Sequence, residues 1–373
     1  MSDPSQEHIV STSSFTAVVD RMPALRREVA ADPGAHRVLT GERPTGPLHL
    51  GHLAGSIVER VRLQRSGVQV LVVLADYQVI TDRENAGRVR DHVRGAVLDL
   101  LAAGLDPDRT TIFTHSAVPA LNQLMLPFLS LVTEAELHRN PTVKAEHRAS
   151  GRALSGLLLT YPVHQAADIL CCRADLVPVG KDNLPHVELT RVIARRFAER
   201  YAPVFVAPEP MVTDSPEVPG LDGRKMSKSY GNAVELGATA EETAALIRRT
   251  RTDAERRITY DPVARPGVAG LLSAAAFCTG RTPDDIAAEI GDGGSARLKR
   301  FTAEAVNAGL AGHRARRAEL AAEPGLAESV LARGNATANA LAGATLAEVR
   351  TAMGMDYRDL TSGAVSPARC AGR

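Results

Sequence analysis

Two histidines near residue 50 stand in a setting that suits the binding of phosphate. His49 and His52 close the stretch TGERPTGPLHLGH, which follows an apolar run at 37–39 and precedes a helical pattern at 53–64. This order predicts a strand, a glycine-rich turn and a helix. A helix N-terminus presents free N–H groups and the positive end of its dipole. We therefore expect a nucleotide-phosphate site in which both imidazoles donate to phosphate oxygens.

The same histidine pair has more ordinary interpretations. Two histidines at this spacing could form half of a metal site or lie separately on the surface. No further Cys or His cluster nearby completes a ligand set, so we expect no protein-bound metal. Gly51, between the histidines, lets the backbone approach a ligand and leaves room for a purine.

A basic turn far downstream supplies further candidate phosphate ligands. It is Lys225–Ser229, with the sequence KMSKS. Taken alone, a short turn rich in Lys and Ser is usually a solvated loop. The flanking Gly223 and Gly231 permit hinge motion, which suits a loop that closes on a substrate. HLGH followed by KMSKS resembles the two signatures of class I aminoacyl-tRNA synthetases.

Composition narrows the remaining classes. The chain has 373 residues, of which 44% are hydrophobic and 23% charged, and its net charge is +1. These values fit a globular protein of two domains and exclude a global basic field, so any contact with nucleic acid must use local patches. The four cysteines form no CxxC pair, which is typical of a reduced, cytosolic protein. No apolar run reaches the length of a membrane span.

Alternating strand and helix patterns predict an α/β fold. We expect a Rossmann-like, doubly wound parallel sheet up to about residue 205, followed by a C-terminal all-helical domain. The predicted strands cover 37–39, 68–74 and 110–114, and the predicted helices cover 15–31, 53–64, 89–103, 118–133 and 160–170.

The domain boundaries follow from changes in composition. We expect an N-terminal extension over 1–35, disordered up to residue 14; a catalytic domain over 36–235 with an insertion around 82–150; a separate helical domain over 236–360; and a disordered tail over 361–373. Residues 134–150 could be a mobile cover or a subunit contact. Basic clusters at 248–257, 297–300 and 314–317 fit either solvated helix faces or contact with a tRNA anticodon stem.

One carboxylate is a candidate for substrate selection. Gln165 and Asp168 share a face of the helix predicted over 160–170. A buried carboxylate needs hydrogen-bond donors, and a ligand with one N–H would supply one. On spacing alone, a pair with Arg173 or Arg191 is the more ordinary outcome.

The surrounding block carries a closer resemblance. TYPVHQAADIL, DLVPVGKDN and HVELTR, together with TGERPTGPLHLGH and KMSKSYGNAVEL, are similar to bacterial tryptophanyl-tRNA synthetases from about residue 38 to about residue 320. The resemblance implies a ligase that activates L-tryptophan with ATP and Mg²⁺, releases pyrophosphate and transfers the acyl group to tRNA(Trp). It also implies a homodimer in the cytoplasm.

The resemblance further implies roles for individual residues. Those implied to bind ATP are Arg43, Thr45, Gly51, His52, Gly180, Asp182, Lys225, Met226, Ser227 and Lys228. Those implied to bind tryptophan are Tyr77, Gln78, Tyr161, Gln165, Asp168, Val177, Val179 and Asn183. Asp168 would accept the indole N–H, and catalysis would fall to His49, His52, Lys225 and Lys228 as donors and cations.

Two positions depart from the family pattern. Gln78 stands where a pattern like DxHAIT often has histidine, and Asn183 stands where GxDQ has glutamine. We expect the reaction to be unchanged and the polar contacts to differ, so Gln78 predicts resistance to indolmycin-type analogues. The chain also has no Trp, which would suit an auxiliary copy made during tryptophan shortage.

Three other functions remain open from the sequence. A tyrosine-specific relative would use the same fold and signatures. A non-catalytic RNA-binding paralogue is disfavoured by the intact HLGH and KMSKS motifs. A nucleotidylyltransferase of small metabolites is disfavoured by the helical domain.

Overall fold

The computed structural model describes residues 4–81, 86–151, 153–180, 183–212, 218–227 and 230–357. Within them, parallel strands form one sheet, which consists of β1 (Arg37–Glu42), β2 (Gln69–Leu74), β3 (Thr110–Thr114), β4 (Leu176–Val179) and β5 (Glu209–Val212). Their spatial order is β3-β2-β1-β4-β5, and all pairs are parallel. The order reverses between β1 and β4, which places a ligand crevice at the carboxyl ends of these strands. The predicted doubly wound sheet is confirmed.

The apolar run at β2 forms a strand because it is buried on both faces. Val70 and Val72 pack into one hydrophobic cluster, whereas Leu71 and Val73 pack into a second cluster on the opposite face. Successive side chains of a strand point to opposite faces, and parallel strands are commonly covered on both. The apolar residues from Val70 to Leu74 therefore pack alternately into the two clusters.

Helices cover the two faces of the sheet and fill the C-terminal third. They are α1 (Pro4–Ala31), α2 (Leu50–His52), α3 (Val58–Ser66), α4 (Val89–Ala102), α5 (Pro119–Leu129), α6 (Glu134–Arg139), α7 (Pro141–Ser150), α8 (Gly156–Cys171), α9 (Leu184–Arg200), α10 (Ala240–Arg249), α11 (Pro266–Thr279), α12 (Pro283–Ile290), α13 (Gly294–Ala322) and α14 (Leu326–Ala352). In the part of the chain that the structure describes, none is both long and apolar enough to cross a membrane.

Two expectations about the chain need correction or refinement. The first helix begins at Pro4 rather than near residue 15, so the disorder expected up to residue 14 is wrong from Pro4 onward. Proline is tolerated in the first turn of a helix.

The insertion contains two helices, α6 and α7, which are separated at Asn140. Its side chain accepts from the N–H groups of Thr142 and Val143 and so begins α7.

The helical region beyond residue 236 shares its core with the sheet. Leu310 of α13 and Val330 of α14 belong to the same hydrophobic cluster as Val70 of β2. Helix α14 also crosses the edge strand β3, where Asn335 Oδ1 accepts from the Thr114 N–H at 3.0 Å. The expected all-helical content is therefore found, but the region packs on the parallel sheet rather than standing apart from it.

The crossing of α14 over β3 depends on a glycine. A Cβ on Gly334 would fall on the carbonyl group of Ile112, a backbone contact that cannot yield, whereas a Cβ on Gly343 of the same helix would meet nothing within 4 Å. We expect Gly334→Ala to lower the free energy of unfolding by about 3 kcal/mol. The control Gly343→Ala should raise it by roughly 0.5–1 kcal/mol. Denaturant melts of both variants test this, and equal shifts would contradict the close packing.

Candidate active site

The histidine pair lies at the start of the helical segment that follows β1. His49 has an extended backbone and caps α2, and its N–H donates to His52 Nδ1 at 3.1 Å. The two ring centroids are 3.7 Å apart. The segment continues through a π-helical turn, Leu53–Ile57, into α3. The predicted strand, glycine-rich turn and helix are confirmed, and both imidazoles lie together at the N-terminal end of the helix.

The described part of the KMSKS segment, residues 225–227, lies directly against this turn. The Gly51 N–H points at Met226 Sδ, 3.3 Å away and 175 positions along the chain. Beyond the loop, the Leu50 N–H donates to the Val234 carbonyl and the Leu236 N–H donates to the Leu48 carbonyl, both at 2.9 Å. Two signatures that are distant in sequence therefore form one surface.

The space beside Gly51 is occupied in this conformation. A Cβ there would lie 3.2 Å from the His49 ring and 3.4 Å from Met226 Cβ. Any larger residue at position 51 would crowd the His49 ring and Met226, so glycine suits the close approach of the two signatures. The predicted contact between Gly51 and a purine stays a prediction.

Asn232 anchors the KMSKS loop. Its side-chain Oδ1 accepts from the Ser227 N–H at 2.8 Å, and its Nδ2 donates to the Lys225 carbonyl at 3.1 Å and to Asp222 Oδ1 at 2.7 Å. Asn232 is buried. Sequence reasoning missed this residue, because an asparagine after a basic turn carries no pattern of its own. Lys228 lies outside the described residues, and its role stays a prediction.

Burial makes both imidazoles weak bases. It lowers the pKa of His49 to about 3, with the charges of His52 and Lys225 acting in the same direction. Burial likewise lowers the pKa of His52, although the Glu42 carboxylate opposes the shift. Near neutral pH the pair is therefore uncharged. Both imidazoles can still donate hydrogen bonds to phosphate, as expected, but they are not cations near neutral pH.

Glu42, at the end of β1, is held in a buried ion pair. Its Oε1 lies 2.7 Å from Arg60 Nη2, and its Oε2 lies 4.0 Å from His52 Nε2. Burial by itself would raise the pKa of Glu42, but the charges of Arg60 and His52 and hydrogen bonds from Arg60 and Ser56 lower it. The carboxylate is thus ionised and paired at the edge of the site.

Acid should destabilise the protein partly through His49. Its folded-state pKa of about 3 lies below the ordinary 6.5, so between these values the unfolded chain binds a proton that the folded protein does not. The contribution of His49 to stability is therefore lost as the pH falls through this window. As the pH falls, we expect the free energy of unfolding to decrease less steeply in His49→Gln than in the wild type. The difference in slope should correspond to up to about one bound proton. Denaturant melts between about pH 7 and about pH 4.5 measure the slopes, and equal slopes would contradict a neutral buried His49.

Asp168 lies buried on α8 in a pair that the sequence did not predict. Its Oδ2 accepts from His115 Nε2 at 2.9 Å, and its Oδ1 is buried with no hydrogen-bond partner among the described residues. The alternative pairs with arginine are wrong. Arg173 binds Glu348 at 2.5 Å, and Arg191 binds Glu209 at 3.0 Å.

His115 is surrounded by rings. The His164 ring centroid lies 4.6 Å from it and the Tyr77 centroid 6.5 Å from it. His164 Nε2 lies 3.1 Å from Asn122 Oδ1. His115, His164 and Asp168 present possible ligand atoms within 4.8 Å of one another, a grouping that the sequence did not indicate. The expectation of no protein-bound metal stays a prediction.

The other residues implied for tryptophan lie near the carboxyl ends of the strands or on α8. Tyr77 and Gln78 are half-buried in the turn Asp76–Thr81 after β2. Tyr161 is buried on α8, with its hydroxyl 3.1 Å from His186 Nε2. The remaining positions are the buried Val177 and Val179 in β4, the half-buried Gln165 on α8 and the exposed Asn183 at the N-cap of α9.

The other residues implied for ATP are placed only in part. Arg43 is exposed after β1, and its Nη2 lies 3.6 Å from Glu146 Oε1 on α7. Thr45 follows in the same turn, with its N–H donating to the Arg43 carbonyl. Gly180 is exposed directly after β4. Asp182 lies outside the described residues.

One predicted basic cluster serves packing. Arg317 Nε donates to Asp99 Oδ1 of α4 at 2.5 Å, and Arg314 Nη2 donates to Thr243 Oγ1 at 2.7 Å. These contacts join α13 to its neighbours. For these two arginines the structural interpretation is therefore the better one.

The groups suited to chemistry meet at one edge of the sheet. The glycine-rich turn follows β1, Asp76 follows β2, His115 follows β3 and Gly180 follows β4. The carboxyl ends of parallel strands bound the ligand crevice of such a sheet. The arrangement can hold a phosphorylated ligand at the β1 turn and a ligand with an N–H donor beside α8.

Comparisons with known proteins agree with this architecture. The family model described as tRNA synthetases class I (W and Y) matches residues 32–311. The tryptophan–tRNA ligase of Treponema pallidum is 41% identical over 345 residues, which cover 87% of this chain and 98% of the relative. That of Streptococcus pyogenes serotype M1 is 38% identical over 334 residues, covering 86% and 98%.

A solved structure gives the same result. The tryptophanyl-tRNA synthetase of Campylobacter jejuni, complexed with ADP and tryptophan, superposes with a TM-score of 0.73 at 27% identity, covering 85% of this chain and 99% of that one. The chain therefore belongs to the family of class I tRNA synthetases for tryptophan and tyrosine.

Proposed function

We propose that this protein is a tryptophan–tRNA ligase. It activates L-tryptophan with ATP to tryptophanyl-AMP and pyrophosphate, and then transfers the tryptophanyl group to tRNA(Trp). The observation that carries the choice of amino acid is the buried Asp168 Oδ1, an acceptor with no partner among the described residues. The names of the relatives at 41% and 38% identity support the same choice.

Activation needs positioned donors rather than a nucleophilic side chain. The tryptophan carboxylate attacks the α-phosphorus of ATP in line with the leaving pyrophosphate. Positioning and stabilisation of developing charge dominate such transfers. His49 and His52 each offer a neutral N–H, because burial keeps their pKa low. Lys225 adds a positive charge on the same side.

The indole slot would lie between α8 and β4. Asp168 accepts the indole N–H through Oδ1, and Val177 and Val179 supply the apolar wall. Tyr161 and Gln165 hold the ammonium and carboxylate end of the amino acid. A site with a buried acceptor rejects ligands that lack the matching donor, because the acceptor would then remain unpaired.

Magnesium fits this site as a companion of the triphosphate. Mg²⁺ retains several waters and takes one or two carboxylates at most. Glu42, the carboxylate that contacts the histidine pair, is already paired with Arg60 at 2.7 Å, so phosphate and water would provide most ligands. When bound, the ion would neutralise charge on the phosphates.

The tRNA substrate and the oligomeric state belong to the same proposal. Arg249 and Arg300 are exposed on α10 and α13 and could contact the phosphates of tRNA(Trp). A cytoplasmic homodimer, with each tRNA contacting both subunits, would complete the enzyme. The boundary of the anticodon-binding domain near residue 236 forms part of this proposal.

The decisive experiment is ATP–pyrophosphate exchange driven by one amino acid at a time. We expect L-tryptophan to drive exchange and L-tyrosine to give only background. Exchange with tyrosine alone would overturn the choice of substrate. No exchange with either amino acid, from a folded protein, would overturn the enzymatic proposal and favour a non-catalytic RNA-binding role.

Gln78 would alter the response to inhibitors. It lies in the turn after β2, next to Tyr77, whose ring faces His115 and His164. We expect the wild type to resist indolmycin-type analogues better than Gln78→His, by about 10-fold or more if one hydrogen bond is gained. Inhibition constants from exchange assays measure this, and equal constants would refute it. An auxiliary, inducible copy would fit such resistance; lethality of the gene deletion in every medium would argue against that role.

A further inference from the structure

His115 is built into the fold as a fixed hydrogen-bond partner of Asp168. It lies in the turn His115–Ala117 that follows β3, and it is fully buried. Its Nε2 lies 2.9 Å from Asp168 Oδ2. The other titratable groups that face it are His164, on α8, and Asp76 and Tyr77, after β2.

The turn that carries His115 is anchored on both sides. Asn335 of α14 accepts from the Thr114 N–H at 3.0 Å, and Asn339 donates to the Ala117 carbonyl at 2.6 Å. The Ser116 N–H and hydroxyl both donate to the Asp76 carboxylate. His115 therefore keeps its place without help from a ligand, and so does the Asp168 oxygen that it binds.

We propose that His115 is a positioning residue for amino-acid selection: it occupies one oxygen of Asp168 and leaves the other as the acceptor for a single ligand N–H. This inference rests on the proposed function and adds to it a residue on β3's side of the slot. Neither the sequence patterns nor the family signatures single out His115.

The pair explains how the slot would reject a ligand without an N–H. With His115 bound to Oδ2, only the buried Oδ1 is left to accept from a ligand. A ligand without an N–H would therefore leave a buried acceptor unpaired. Removal of His115 should therefore reduce discrimination more than it reduces general activity.

The test compares tryptophan with its benzothienyl analogue, in which sulfur replaces the indole N–H. The measured quantity is kcat/KM for tryptophan divided by kcat/KM for the analogue, both from ATP–pyrophosphate exchange. In His115→Asn the side chain is too short to reach Asp168, and we expect the ratio to fall by about 10-fold or more. His115→Gln carries the same amide on a longer stem, and it should retain most of the wild-type ratio.

The outcomes separate this inference from the proposed function. Wild-type exchange with tryptophan tests the function itself. If the wild type is active and His115→Asn keeps the wild-type ratio, the role of His115 is wrong. If the ratio falls equally in His115→Asn and His115→Gln, a hydrogen bond to Asp168 does not explain the discrimination. Should His115→Asn fail to fold, a lowered ratio in His115→Leu with an unchanged KM for ATP would support the proposal, and an unchanged ratio would overturn it.

Discussion

Replacement of Asp168 by asparagine is expected to lower kcat/KM for tryptophan by about 10²–10³-fold. The amide is a weaker acceptor for the indole N–H than the carboxylate. It also leaves the His115 ring, 2.9 Å from the lost carboxylate, facing a neutral partner in a buried site. The measurement is tryptophan-dependent ATP–pyrophosphate exchange, with the KM for ATP expected to change little.

A second histidine–aspartate pair in the same protein provides the control. Asp175 Oδ2 lies 2.6 Å from His36 Nδ1, and Asp175 Oδ1 accepts from the Arg37 N–H. This pair lies at the amino ends of β1 and β4, opposite the edge that carries the proposed site. Asp175→Asn should lower stability yet leave kcat/KM within a few-fold of wild type. An Asp168→Asn enzyme as active as this control would remove the basis for tryptophan selection.

Local patterns predicted those features whose cause is local. The run at 68–74 forms a strand because both of its faces meet apolar clusters, and that requirement is written in consecutive residues. The helix over 89–103 could also be predicted locally, because its apolar residues recur at helical spacing. HLGH and KMSKS could be found because each motif is a short run of consecutive residues.

Features that depend on topology could not be predicted. His115 and Asp168 are 53 positions apart, and nothing in either neighbourhood pairs them. They meet because the turn after β3 packs against the side of α8. Asn335 reaches Thr114 across 221 positions only because α14 crosses the edge strand. The predicted partners of Asp168 were arginines close in sequence, whereas the actual partner comes from a different strand.

The charge state of the histidine pair could not be predicted from the sequence either. A histidine at a glycine-rich turn was expected to act as donor and cation, but burial lowers the pKa of His49 to about 3. Burial is a property of the folded surroundings and has no signature in HLGH itself. Positive charge beside the pair is therefore expected from other residues, among them Lys225.

Replacement of Lys225 by alanine is expected to lower the turnover of tryptophan activation by about 10²–10³-fold. The charge of Lys225 lowers the pKa of both His49 and His52, which places it beside the pair. Asn232 holds its backbone carbonyl at 3.1 Å. Negative charge develops on the leaving pyrophosphate in the transition state, so a fixed cation stabilises that state more than it stabilises bound tryptophan.

The expected signature is a loss of kcat with an almost unchanged dissociation constant for tryptophan. Lys299→Ala is a suitable control, because it removes an equal charge on α13, where Lys299 Nζ donates to the Arg248 carbonyl. If both variants turn over like the wild type, the KMSKS loop does not act on the phosphates. If Lys225→Ala instead weakens tryptophan binding in proportion to turnover, the loop acts on ground-state binding. Only a selective loss of turnover fits a division of labour in which neutral imidazoles orient the triphosphate and the lysine loop supplies the charge.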